Sequence, residues 1–211
     1  MPAMETEPKT LRSDAAENRK RLLAAAAVVF AEHGLDGSVE EVARAAGVGM
    51  GTLYRRFPTK DALIGELVRE LLEEVVGLAR DALKVEDGLG LEQFLYAMAA
   101  AQYAHRGCLS RLWSDPQSTE LKDECRALIA TLLADAQEHG RVSADANLGD
   151  LDLLLWSLLS VIERSQPIGS GAWRRLVAIV LAGLRPSSEP LAEPALTERQ
   201  IAIIRKHRRT R

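Results

Sequence analysis

Apolar residues recur at steps of three and four along most of this chain, the repeat of helices that bury one face. A first helix is predicted over the run RKRLLAAAAVVFAEH from Arg19 to His33, closed by Gly34. The stretch Ser38 to Lys60, SVEEVARAAGVGMGTLYRRFPTK, predicts two short helices joined by a turn. Val42, Ala43 and Ala46 form the stripe of the first, and Val48, Leu53 and Phe57 supply the second after Gly47. Ser38 with Glu41 three residues on is a capping-box pattern, and Gly47 suits the left-handed end of a helix. Leu63, Leu67, Leu71, Val75 and Leu78 then extend a stripe that predicts a helix from Thr59 to Lys84, roughly 39 Å at 1.5 Å per residue. Thr59 is its expected cap.

The remaining elements follow in the same way. Glu86 to Gly90 is a loop, and Leu91, Phe94, Leu95 and Met98 mark a helix to about Ala104. His105, Arg106 and Gly107 interrupt, and a short turn around Leu109 to Trp113 ends before Asp115 and Pro116. Leu121, Cys125, Leu128, Ile129, Leu132, Leu133 and Ala136 make one helix face, closed by Gly140. The run LDLLLWSLLSVI inside Leu148 to Ile162 is apolar on nearly every side, unlike a surface helix. Trp173, Leu176, Val177, Val180, Leu181 and Leu184 give a last stripe before Pro186. The expected architecture is all-α, with about nine helices. It divides into an arm at 1–15, a helix-turn-helix domain at 16–60, a helical domain at 61–185, and a linker with a basic tail at 186–211.

Within the paired short helices, Met50, Gly51, Thr52, Tyr54, Arg55 and Arg56 point away from the apolar stripe. Hydroxyls, a phenol and two guanidinium groups can reach phosphates and base edges. Lys60 stands at the start of the long helix, where an ammonium and open helix amides can meet a phosphate together. These residues describe a head that reads DNA. The same stretch, together with RKRLLAAAAVVFAEHGLDGSV before it, resembles the TetR (tetracycline-repressor) family over about Asn18 to Leu63. The run G-T-L-Y-x-x-F-x-x-K at Gly51 to Lys60 is far more specific than a bare helix-turn-helix. Gly49 departs from the serine common at that cap, and Arg56 from the aromatic residue or histidine common there.

The resemblance implies a regulator that binds a palindromic DNA operator as a homodimer, most often a repressor, released by a small-molecule effector. It implies that Tyr54 gives its hydroxyl to a phosphate and that Gly51 and Thr52 meet backbone or bases. It also implies that the helices at about 148–166 and 170–184 pair with their twins in a four-helix bundle. A constitutive dimeric regulator whose middle domain binds no effector is the alternative. Large or polar residues on middle-domain helices are the candidates to line an effector pocket: Met98, Gln102, Tyr103, Trp113, Cys125, Trp156 and Arg164.

Composition adds four points. The hydrophobic fraction of 47% is that of a globular chain, and a net charge of −3 carries no general polyanion signal. The charge is nevertheless uneven, at +1 for residues 1–60, −7 for 61–185 and +3 for 186–211, so an acidic middle lies between mildly basic ends. Two scattered cysteines, Cys108 and Cys125, and four scattered histidines predict neither a metal site nor a disulfide and fit a cytoplasmic setting. Arg19 to Arg21 before ten apolar residues imitates a secretory signal, but Glu5, Glu7, Asp14 and Glu17 spoil the basic leader. No run approaches a membrane span, and no phosphate loop, GxSxG or nucleophile cluster points to an enzyme. No cofactor is expected.

Overall fold

The computed structural model describes residues 7–112, 116–165, 171–187 and 193–208, with the backbone alone at 7–15, 116 and 206–208. Among them are nine α-helices, three short 3-10 turns and no strand. Helix α1, Glu7–His33, is longer than its apolar run, because Pro8 falls in the first turn, where a missing N–H costs nothing. Residues 7–15 of the expected arm are therefore helical, and residues 1–6 lie outside the described part.

Helix α2, Val39–Ala46, opens with the capping box: Glu41 N–H donates to Ser38 Oγ at 3.1 Å, and Ser38 N–H donates to Glu41 Oε2 at 2.9 Å. Gly47 ends it at φ 65°, a left-handed conformation that costs glycine nothing. Helix α3, Met50–Arg56, starts from Gly49 with no side-chain cap. Helix α4, Lys60–Ala82, is capped by Thr59 Oγ1, which accepts from Ala62 N–H at 3.0 Å, and spans about 35 Å.

Helix α4 carries two adjacent buried rows at steps of four. One is Leu63, Leu67, Leu71, Val75 and Ala79, and the other is Ile64, Val68, Leu72 and Val76. Two such rows give a face wide enough for helices on both sides. α1 packs near its start, and α5, Gly90–Ala104, and α6, Thr119–Glu138, pack along its length. Helices α7, Leu148–Arg164, and α8, Gly171–Gly183, pack on each other, and both touch α5. One continuous core results, from Leu22 and Phe30 in the head to Trp173 and Leu184 at the far end.

Two sets of ion pairs fix α4 between head and body. Arg19 on α1 pairs with Glu66 and, at 3.0 Å, with Glu70. The 3-10 segment Arg106–Arg111 lies against the end of α1, and Arg111 pairs with Asp61 at 3.1 Å. At Gly107 the approach is backbone to backbone: a Cβ there would fall 1.8 Å from the carbonyl oxygen of Phe30.

Part of the expected tail is helical. Helix α9, Glu198–Arg208, opens with Thr197 N–H donating to Gln200 Oε1 at 2.8 Å and lies on α7, with Ile201 1% exposed. Residues 186–211 were expected as linker and tail. Ile201 is the apolar anchor that seats part of them on the helical domain.

Gly107→Ala is expected to lower the unfolding free energy by about 3 kcal/mol, since a methyl group must push two backbones apart. A fall in the urea midpoint at unchanged slope would show it.

Candidate nucleic-acid interface and middle-domain cavity

The reading helix is held by very few side chains. Leu53 and Phe57 are buried beneath α3, and Met50 leans half-buried on the same core. This leaves Gly51, Tyr54, Arg55 and Arg56 exposed on one side, with Thr52 half-covered. Arg55 folds back on its own helix, its Nε donating to Gly51 O at 3.2 Å and its guanidinium to Thr52 Oγ1 at 3.3 Å. That holds its side chain along α3 rather than across it. Tyr54 and Arg56 project outward from the last turn.

Lys60 also has partners within the head. Its ammonium donates to the carbonyl oxygen of Leu35 and sits 5.7 Å from the centre of the Phe30 ring. It therefore ties the start of α4 to the loop after α1, through a hydrogen bond and a cation–π contact. Sequence spacing put it near the phosphates; the acceptor that holds it is twenty-five residues away in the chain.

A cavity of about 100 Å³ lies in the middle domain. Leu71, Leu72 and Val75 of α4, Met98 of α5, Leu112, Ile129 of α6 and Leu155 of α7 make its apolar part, with the amide of Gln102 of α5 among them. Its other end is charged, with Lys122, Asp123 and Arg126 of α6, Asp152 of α7 and Arg205 of α9. Asp152 is only 3% exposed. Its two oxygens are taken by different arginines: Arg126 donates to Oδ2 at 2.5 Å and Arg205 to Oδ1 at 2.6 Å. Arg126 also reaches Glu198 at 2.9 and 3.0 Å. A buried carboxylate is tolerated only with such partners. Gln102 is 6% exposed, and its Oε1 has no hydrogen-bond partner. Burial pushes the Cys125 thiol up to about 11, with Glu124 adding to the effect.

Of the expected pocket residues, the structure brings Met98, Gln102 and Cys125 together at this cavity. Tyr103 instead lies under the Arg106 guanidinium, 5.0 Å from its ring centre. Trp156 is buried away from the cavity and outside the continuous core, and Arg164 is exposed, near Ser160. Trp113 lies outside the described residues. Sequence reading passed over Arg126, Asp152 and Arg205. Asp150 closes a capping box with Asn147, whereas Asp152, two residues on, is buried. The usable signal was a lone carboxylate inside an apolar run. Among the described residues no group of three His, Cys, Asp or Glu side chains is placed to hold a metal ion, and no helix is long and apolar enough to cross a membrane.

Residues 22–67 match the bacterial regulatory proteins of the tetR family, and residues 86–186 match the C-terminal domain of SbtR-like transcriptional regulators. The crystal structure of a TetR transcription regulatory protein from Mycobacterium vanbaalenii is 34% identical. It superposes with a TM-score of 0.62 over 83% of this chain and 99% of that one. The chain belongs to the TetR family. It is a DNA-binding transcriptional regulator and not an enzyme. Among curated relatives, the transcriptional repressor KstR2 of Rhodococcus jostii is 35% identical over 103 residues, about half the length of each chain (48% of this one, 47% of that one). The regulator UidR of Escherichia coli is 24% identical over 84% of this chain and 98% of its own. Helix α9 lies beyond both TetR-family matches.

Arg126→Met is expected to cost this TetR-family domain about 2 kcal/mol, less than a fully buried pair because Arg126 keeps some contact with water. Denaturant unfolding measures it directly.

Proposed function

We propose that this regulator is a homodimeric repressor that holds a palindromic operator with two α3 helices and leaves it when a small molecule enters the middle-domain cavity. The observation that carries this reading is the double use of α4. Its first turns support the head, through Lys60, Leu63 and the Asp61–Arg111 pair, and its middle, Leu71, Leu72 and Val75, is a wall of the cavity. A molecule that widened the cavity would shift α4 and Leu112 at the end of the 3-10 segment, and with them the angle of the head. To pass from mostly bound to mostly released it must favour the released form by about 5 kcal/mol.

Pairing of two chains is supported by the outer faces of α7 and α8. Leu153 and Ile179 are exposed there, with Val161, Leu176 and Val180 half-covered, among the small residues Ser157, Ser160, Ala178 and Ala182. Small side chains let helix backbones approach closely, and an apolar stripe between them has surface to bury in a four-helix bundle. Repression rather than activation is supported by the name of the relative KstR2. Tyr54, Gly51, Thr52 and Arg56 are assigned to DNA, with Met50 and Arg55 at its edge; Lys60 is assigned to holding the head.

The test is binding of the purified protein to its own promoter region across a range of salt concentrations. Wild type should bind selectively, with affinity falling steeply as salt rises. Arg56→Ala should reduce the slope of log affinity against log salt by about one for each head, roughly two for a dimer. Tyr54→Ala should weaken binding at least tenfold with the fold unchanged. Absence of selective binding would overturn the operator assignment, and a metabolite screen in which nothing loosens the complex would overturn release by an effector.

A further inference from the structure

The cavity is filled at its polar end by the protein itself. α9 contributes Arg205 to the cavity lining, and its guanidinium takes Asp152 Oδ1. Glu198, in the first turn of the same helix, takes the outer edge of Arg126. Glu198, Arg126, Asp152 and Arg205 thus alternate in sign and cancel, and two of the four belong to α9. The apolar hold on this helix is two side chains: Ile201 is buried and Ile204 half-buried, while Ala202 and Ile203 are exposed. A space of about 100 Å³ is too small for a drug-sized molecule, which needs roughly 300 Å³ or more. Something must move to admit one, and α9 is the wall held mainly by ion pairs.

We propose that α9 is an internal plug of the effector cavity and that Arg205 stands in for the cationic head of the effector. This rests on the reading that an effector enters this cavity. When α9 leaves, Arg126 stays on Oδ2 and the Oδ1 atom of Asp152 loses its donor, to be covered again by whatever fills the cavity. The incoming molecule must supply a positively charged N–H donor there, because a buried carboxylate oxygen without a partner is costly. An anionic head at that oxygen would be repelled; the cationic groups at this end are Lys122 and the Arg126 edge that Glu198 leaves, and they lie to the side of Oδ1. Beyond the head, Leu71, Met98 and Ile129 take an apolar body, and the amide of Gln102 offers a hydrogen bond part-way along it. The effector class is an apolar amidinium, guanidinium or ammonium compound.

The test uses the full chain carrying Cys108→Ala, so that Cys125 at the cavity wall is its one thiol. Two probes share a body and differ in head: 4-butylbenzamidinium and 4-butylbenzoate. Arg205→Met should bind the amidinium at least tenfold tighter than the parent by calorimetry, with no gain for the benzoate. Arg205→Lys, which keeps the charge, should restore most of the exclusion. Adding Asp152→Asn to Arg205→Met should abolish the gain. Alkylation of Cys125 by iodoacetamide at pH 8 should quicken at least tenfold in Arg205→Met, since exposure returns a thiol held near 11 toward its ordinary value of 9.0. Bound amidinium should slow it again. Equal amidinium affinity in parent and Arg205→Met, or a larger gain for the benzoate, would overturn the plug. Tight amidinium binding by Arg205→Met with no change in operator affinity would keep the plug and sink effector-driven release. Release by a molecule that binds parent and Arg205→Met equally would do the reverse.

Discussion

The two apolar rows of α4 join the head to the middle of this molecule. A helix with one row can bury itself against one neighbour; with two rows four residues apart in repeat, it holds neighbours on both flanks. Leu63 and Leu67 meet the head, while Leu71, Leu72 and Val75 meet the cavity, and the stretch between them is an unbroken run of helical hydrogen bonds. The helix contains Gly65 and Gly77 but no proline, so it has no built-in breaking point between the two ends. A displacement at its middle is therefore carried to its start.

The head was legible because its instructions are local. Ser38 and Glu41 lie within one turn, Gly47 ends a helix by its own conformation, and the apolar spacing of Leu53 and Phe57 needs no distant partner to be recognised. The first row of α4 was legible for the same reason. Its second row, Ile64, Val68, Leu72 and Val76, was not read, and with it went the evidence that α4 is covered on two sides.

The cavity was legible only in part. Met98, Gln102 and Cys125 could be picked as large or polar residues on helices, but Tyr103, Trp156 and Arg164 satisfied the same criterion and lie elsewhere. What separates them is direction, which composition does not encode. Asp152, Arg126 and Arg205 were passed over because the pairs joining them span 26 and 53 residues of chain. The arginine nearest the basic end looked like one more tail charge until α9 was seated. Lys60 shows another limit of the same kind. A basic residue at a helix start has an obvious partner in DNA, and its bond to the carbonyl oxygen of Leu35 could not be read from spacing.

The close approach at Gly107 bears on how such regulators can be rebuilt. Where the oxygen of Phe30 occupies the space of a side chain, head and body are fitted to each other at the level of main-chain shape. Grafting a foreign reading head onto this body, or this head onto another body, joins two surfaces that were not cut from one mould. A hybrid made by exchanging residues up to the start of α4 would keep the local caps of its new reading helix and still lose rigidity, because the main-chain seam at Gly107 would no longer close.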